Sequence, residues 1–388
     1  MTADERRASA SLASIFALRM LGLFLVLPVF ALEAAKLPGG NDPALVGLAM
    51  GLYGLTQAFL QMPLGMASDR WGRKPVILIG LAVFAIGSAV AAWAPTVHWL
   101  AAGRALQGAG AISAAVTAFL ADVTRDGVRT KAMAIVGASI ALMFALSLLI
   151  APPLAARIGL GGLFTLTAAL ALAGMAVVAW VAPTEPARHI AAARGGLGQV
   201  LRDPALLRLN LGVFVLHAVQ LSMWMAVPAL LVASGLPAAQ HWQVYLPAVL
   251  VSLLVMGGLL FRLERKGYLR AVFLLAIGLL LLVQLGLWLV SGAPSLWALA
   301  ALLTLFFLGF NTLEASQPSL ASRLAPAAHR GTAMGLYNTL QSLGFFAGGA
   351  LGGWLIKAHG APGIFTTCAV LCLLWLLLAW PMPAMKRG

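Results

Sequence analysis

The chain has 388 residues, of which 62% are hydrophobic and only 9% are Asp, Glu, Lys or Arg. A water-soluble domain needs about 25% charged residues to cover its surface, so most of this exterior must be solvated by something other than water. A formal net charge of +14 would suggest a nucleic-acid partner if the basic residues clustered on a polar element, and they do not.

Apolar runs of about 20 residues, enough to span a bilayer, recur from end to end. In chain order they fall at 12–34, 44–67, 75–94, 98–121, 131–154 and 160–181. After a polar break they resume at 206–233, 243–261, 269–290, 295–321, 332–356 and 362–381. The expected fold class is an all-α membrane protein with twelve transmembrane helices. The first run contains Arg19 and is too long for a signal-peptide core, so it is expected to stay as a span. Of the 25 basic residues, Arg19 and Arg104 lie inside spans. With the N-terminus inside, only Lys36, Arg157 and Lys357 fall on the outer side. That asymmetry predicts that both termini are cytoplasmic, and the expected location is a bacterial inner membrane. Cys368 and Cys372 lie one helical turn apart in the last span and read as packing residues, not a disulfide framework.

The polar break at 183–205 divides the chain into a six-helix half at 1–182 and a second at 206–388. Its end, 197–209, alternates apolar and basic residues as a short surface helix would. At an offset of 201 residues, Arg129, Ala132, Met133, Gly159, Gly162, Phe164 and Thr165 match Arg330, Ala333, Met334, Gly360, Gly363, Phe365 and Thr366. An offset of six spans preserves orientation in the membrane, as in parallel repeats.

Ionisable side chains inside spans are costly and are therefore candidates for function. They are Arg19, Arg104, His217 and Glu314, on spans one, four, seven and ten; counting from helix ends places Arg19, His217 and Glu314 at similar depth. Glu314 is the one acid deep inside a span and is the first candidate proton carrier. Histidine changes charge near neutral pH, which makes His217 the second. A static Arg19–Glu314 ion pair is the structural alternative, and for His217 it is a bond to a neighbouring helix. Spans two and eleven share Gly-Leu-Tyr-x3-Gln, giving Tyr53 with Gln57 and Tyr337 with Gln341 on common helix faces. These four, with Gln107, Trp224, Tyr245, Asn311 and Gln317, are candidates to line a substrate cavity or to bond between helices. The glycines from Gly344 to Gly353 form a close-packing face. Metal-ligand spacing, a nucleotide loop and a nucleophile motif are not found, so no cofactor, metal or enzyme activity is expected.

The loop between spans two and three reads Gly65-Met-Ala-Ser-Asp69-Arg70-Trp-Gly72-Arg73-Lys74. It resembles the signature loop of the major facilitator superfamily, and Arg104-Ala-Leu-Gln107-Gly108 resembles a motif of its proton antiporters. With Leu18 to Gly22, Tyr53 to Ala58 and Gly331 to Gly335, nearly the whole chain is similar to the drug:proton antiporter group. One feature departs from that pattern, Ala151 preceding Pro152 where a glycine is usual; the loop from Gly258 to Lys266 lacks the aspartate, an asymmetry common in the family. The resemblance implies a major facilitator fold whose spans one, four, seven and ten line a central cavity. It implies a monomer in the lipid bilayer that exchanges protons for an amphiphilic small molecule by alternating access. Carriage of a hydrophilic metabolite such as a sugar is the second expectation, and a non-transporting sensor the third. It further implies a latch in which Asp122 pairs with Arg73 while Asp69 faces the start of helix eleven near Gly331 and Thr332, with Gly65, Arg70, Gly72 and Arg129 around it. Some members of the group carry a soluble C-terminal domain; with the sequence ending just after span twelve, none is expected here.

Overall fold

The computed structural model describes residues 1–185, 197–260, 262–263, 266–325 and 330–382. Residues 186–196 of the 183–205 connection, with Arg188 and Arg194, lie outside them, as do Arg265, Lys386 and Arg387. Among the described residues every regular element is helical.

The first half runs α1 Ala3–Val26, α2 Phe30–Ala34, α3 Pro43–Trp71, α4 Arg73–Ala92, α5 Val97–Ala109, α6 Ser113–Asp122 and α7 Asp126–Ala176, extended by a π-helical turn Val177–Val181. The second runs α8 Leu197–Val200, α9 Pro204–Ala233, α10 Trp242–Val255 with a π turn Met256–Leu260, α11 Leu269–Val290, α12 Leu296–Leu324 and α13 Arg330–Ala379. Polar side chains cap several of these helices. Thr2 and Glu5 form a reciprocal capping box on α1, and Asp203 accepts from the amides of Ala205 and Leu206 ahead of Pro204.

Among the described residues ten apolar helices are long enough to cross a bilayer, with α5 and α6 together making one of them. Two are far too long for one crossing: at about 1.5 Å per residue, the 51 residues of α7 would greatly exceed the about 30 Å of hydrocarbon. Each is two spans joined at a glycine in the left-handed region, Gly159 at φ 64° in α7 and Gly360 at φ 67° in α13. These two glycines stand at the 201-residue offset of the sequence repeat, so the repeat extends to the backbone dihedral. Twelve spans result.

Three expectations are corrected. Span one is not continuous over 12–34, because Pro28 has no N–H to donate and the chain breaks between α1 and α2. Span four is broken at Gly110, Ala111 and Ile112, between α5 and α6. The 197–209 surface helix is one turn, α8, because Asp203 and Pro204 start α9 inside the predicted stretch.

The chain divides into two compact units, Met1–Asn41 with Leu52–Ala192, and Asp42–Gly51 with Ala193–Gly388. Unit 1 is centred on Leu12, Phe16, Ile77, Leu81, Ile112 and Phe119. In unit 2, α9 is enclosed on nearly every side, 89% of its most apolar window being buried, so side chains from several of its faces reach the interior. Glycines allow the close packing around it. A Cβ on Gly344, Gly348 or Gly352 would run into α9 at Phe214, Ala218 or Ser222, and one on Gly349 or Gly353 would run into Gly47 and the first turns of α3. The predicted glycine face is therefore two faces of one helix.

Candidate functional site

Unit 1 builds a cluster around Tyr53. Arg19 is fully buried, and its Nη2 donates to the Tyr53 hydroxyl at 2.9 Å, to Gln57 Oε1 at 3.2 Å and to the Gly110 carbonyl at 3.5 Å. Its Nη1 donates to Ser113 Oγ at 3.4 Å, and the guanidinium lies 5.3 Å from the Phe84 ring centre. Arg104, 1% exposed, sits 4.9 Å from the Tyr53 ring centre and 5.8 Å from that of Phe30. It donates to Gln107 Oε1 at 2.8 Å, and Gln107 Nε2 donates to Ser88 Oγ at 2.7 Å. One tyrosine thus serves two buried arginines, one through its hydroxyl and one through its ring. Close approach makes this possible: a Cβ on Gly108 would strike the Tyr53 carbonyl and the Thr56 hydroxyl, and Thr56 donates to the Ala105 carbonyl at 2.8 Å.

Unit 2 builds its own cluster on α9, α12 and α13. His217 Nδ1 lies 2.9 Å from the Val213 carbonyl. A carbonyl only accepts, so Nδ1 carries the hydrogen and Nε2 of the neutral ring is an acceptor. Gln341 Nε2 donates to it at 2.9 Å and to Glu314 Oε1 at 3.4 Å. Glu314 Oε2 lies 3.3 Å from the same His217 nitrogen. Phe345 and Phe310 present their rings edge-on to the imidazole, at 4.7 and 5.9 Å between centres. His217 is buried, while the Glu314 side chain is 40% exposed. His217 Nε2 and the Glu314 carboxylate thus lie 3.3 Å apart, with one amide touching both.

The remaining lining candidates also lie in unit 2. Asn311 donates to Ser252 Oγ at 2.9 Å, and Trp224 meets Tyr245 edge-on at 5.3 Å. Trp224 lines a small cleft with Gln220, Met223, Val227, Leu303 and Phe306. Gln317 is fully buried with neither amide atom hydrogen-bonded, and the Tyr337 and Tyr245 hydroxyls are likewise buried without partners.

In the signature loop, Arg73 Nε donates to Asp122 Oδ2 at 2.9 Å, its Nη1 to Ser68 Oγ at 2.7 Å and to the Asp69 carboxylate. The left-handed turn falls on Gly72, at φ 116°. Gly65 brings α3 against Ala114, and Arg129 donates to the Ala121 carbonyl at 3.2 Å. Arg70 is exposed, and Gly331 and Thr332 stand in the first turn of α13.

Residues 12–349 match the family described as Major Facilitator Superfamily. The chain belongs to that superfamily. It is 43% identical over 386 residues to the inner membrane transport protein YajR of Escherichia coli (strain K12), covering 98% of this chain and 84% of the relative. It is 30% identical to the multidrug resistance protein MdtH of Klebsiella pneumoniae (strain 342), over 89% of this chain and 85% of the relative. Solved structures share the fold at lower identity. The nucleoside transporter NupG superposes with a TM-score of 0.77 at 13% identity, covering 96% of this chain and 99% of that one. A D-xylose-proton symporter gives 0.76 at 17%, covering 97% and 98%. The chain is thus a multi-pass membrane transporter and not an enzyme.

Three further ties join distant parts of this superfamily member. Glu185, beyond the π turn of α7, accepts from the Arg73 amide at 3.2 Å and the Lys74 amide at 2.6 Å, capping an α4 whose own N-cap is the side-chain-less Gly72. Arg125 grips Glu5 in a two-pronged pair at 2.8 and 3.1 Å, which holds the Glu5 carboxyl at about 2 in the first turn of α1. Lys357 pairs with Asp42 at 2.9 Å. All three join residues more than a hundred positions apart, which no local pattern announces.

Proposed function

We propose that this transporter is a proton-coupled exporter of amphiphilic, drug-like compounds, working by alternating access in the bacterial inner membrane with both termini cytoplasmic. The observation that carries the reading is the His217–Glu314–Gln341 cluster. It sets the one acid deep inside a span 3.3 Å from an imidazole and gives both a common hydrogen-bond donor. Such a pair can take up and release one proton with little rearrangement. In this reading Arg19 and Arg104 set the charge of the other unit, and Tyr53, Gln57, Gln107, Trp224, Tyr245, Asn311, Gln317, Tyr337 and Gln341 contribute to substrate contact. Arg73, with Asp69 and Asp122, forms a latch that strengthens in one state and loosens in the other. The resemblance to a protein named for multidrug resistance favours amphiphilic cargo. The unpaired, buried amide of Gln317 instead favours a hydrophilic metabolite, and the same assay separates the two.

The test is proton movement in liposomes, read by a pH-sensitive dye trapped inside while amphiphiles of either charge, or sugars, are added outside. Amphiphile-driven proton movement that disappears in Glu314→Gln is expected. Equal movement in both proteins would reduce Glu314 to a packing role, and a response to sugars alone would favour the hydrophilic reading.

A further inference from the structure

Span four, like span one, opens its backbone within the apolar run. α5 ends at Ala109 and α6 begins at Ser113, leaving Gly110, Ala111 and Ile112 outside any helix. Non-helical backbone survives inside a membrane only where protein or enclosed water satisfies its polar groups. The α5 end is served by Arg19, whose Nη2 reaches the Gly110 carbonyl at 3.5 Å. The α6 end has no equivalent. Its N-cap residue is Ile112, which makes no side-chain hydrogen bond to the first amides. The ten-residue α6 therefore begins with open N–H donors and the positive end of its dipole. Its first residue, Ser113, is only half-buried.

Arg19 is the independent observation that points the same way. It is fully buried, its four hydrogen bonds end on the neutral oxygens of Tyr53, Gln57, Gly110 and Ser113, and its Nε has no acceptor. A buried cation served only by neutral dipoles carries a desolvation cost that a counter-charge would offset. Among the described residues no acid of unit 1 pairs with it, and the acids of that unit stand in the end turns of helices or beyond them. Between Asp42 and Asp122 the single acid is Asp69, which Arg73 holds. Charge-assisted hydrogen bonds run at about 2.7–2.9 Å. Of the four at Arg19, only the one to Tyr53, at 2.9 Å, is that short. The bonds to Gln57, Ser113 and Gly110 are long, and Gln57 and Ser113 are the two half-buried partners. An anion arriving along Gln57 and Ser113 would replace weak bonds with strong ones.

We propose that Arg19 and the open N-terminus of α6 form the receptor for an anionic group on the transported molecule, a carboxylate or sulfonate carried by an apolar body. Tyr53 holds the guanidinium in place, Ser113 and Gln57 provide neutral hydrogen bonds to the anion, and the first amides of α6 face its charge. The apolar body rests on the amphiphile reading above; the anionic group rests on unit 1 alone.

The test is binding to the full chain in lipid nanodiscs without any gradient, with protein-free nanodiscs subtracted. The probes are naphthalene-2-sulfonate and its neutral counterpart, methyl 2-naphthyl sulfone. The wild-type protein is expected to bind the sulfonate saturably and at least about tenfold more tightly than the sulfone, the scale of one charge-assisted contact. Arg19→Gln should lose about tenfold or more in sulfonate affinity with sulfone binding unchanged, and Arg19→Lys should fall between. Ser113→Ala removes a hydroxyl and no charge; a several-fold loss there supports the receptor even if Arg19→Gln does not fold. No saturable sulfonate binding, equal affinity for the two probes, or unchanged sulfonate affinity in both Arg19→Gln and Ser113→Ala would overturn the proposal and leave Arg19 as a strut across the span-four break. Because no gradient is used, sulfonate binding without amphiphile-driven proton movement would sink the coupling reading and leave this receptor standing. Proton movement without selective sulfonate binding would do the reverse.

Discussion

The amide nitrogen of Gln341 lies 2.9 Å from Nε2 of His217, and the other ring nitrogen is already committed to the Val213 carbonyl. The neutral ring therefore holds one defined tautomer, with its free lone pair aimed at α13. Protonation of Nε2 would turn that acceptor into a donor facing the Gln341 amide hydrogens. The amide must then turn over or withdraw, while Glu314 at 3.3 Å gains a charged partner.

Gln341→Leu tests that arrangement. It deletes a bond worth about 1 kcal/mol and frees Nε2 from its donor. Amphiphile-driven proton movement in liposomes is expected to fall about fivefold, with thermal unfolding close to wild type. Unchanged proton movement would assign the bond to packing.

The glycine stripe on α13 gives a stability prediction. A Cβ at Gly348 would meet the Ala218 backbone, which cannot rotate away, whereas one at Gly335 would meet nothing within 4 Å. Gly348→Leu should lower the thermal midpoint in detergent by the equivalent of about 1–3 kcal/mol or more. Gly335→Ala should raise it slightly, since alanine in a helix gains about 0.5–1 kcal/mol over glycine. A neutral result at Gly348 would mean that α9 and α13 pack more loosely than described.

Gly159 has open space around it, so alanine there meets no neighbour; its φ of 64° is the difficulty. Gly159→Ala should cost about 1–2 kcal/mol through backbone strain alone, and Gly360→Ala, at φ 67°, a similar amount. The two sites lie in separate units, so the double variant should show the sum. Unfolding midpoints of the two single variants and the double would check this.

The Asp42–Lys357 pair predicts a pH dependence. The Lys357 ammonium beside Asp42 holds its carboxyl below the usual carboxylate range, helped by the Ala44 amide. A depressed folded pKa stabilises the protein above the unfolded value, about 3.9, and the gain disappears as pH falls through the lower folded value. The stability gap between wild type and Asp42→Asn should therefore be constant from neutral pH down to about 5 and close as pH falls through the lowered folded value. A gap that persists at the acid end would trace to the carboxamide itself and not to the charge pair.

The class of this protein was legible without coordinates because each signal was local. Leu269–Val290 matches its predicted span at both ends, and an apolar run of that length admits no other use. The repeat was legible too, since Gly159 and Gly360 occupy equivalent positions in the chain. The breaks were harder to read. Pro28 interrupts span one as proline chemistry requires, but at Gly110 in span four the hydropathy stays high and only packing reveals the gap.

The sequence by itself determined the membrane-spanning class, the spans and the short roster of ionisable side chains inside them. These follow from composition and spacing, which act residue by residue. Only the tertiary structure decided who meets whom: Tyr53 between two arginines, Gln341 on both His217 and Glu314, Glu185 on the start of α4, and Arg19 on neutral oxygens. Those pairings join positions tens to more than a hundred residues apart. A hydrogen bond depends on ångström distances and angles that a linear pattern does not contain.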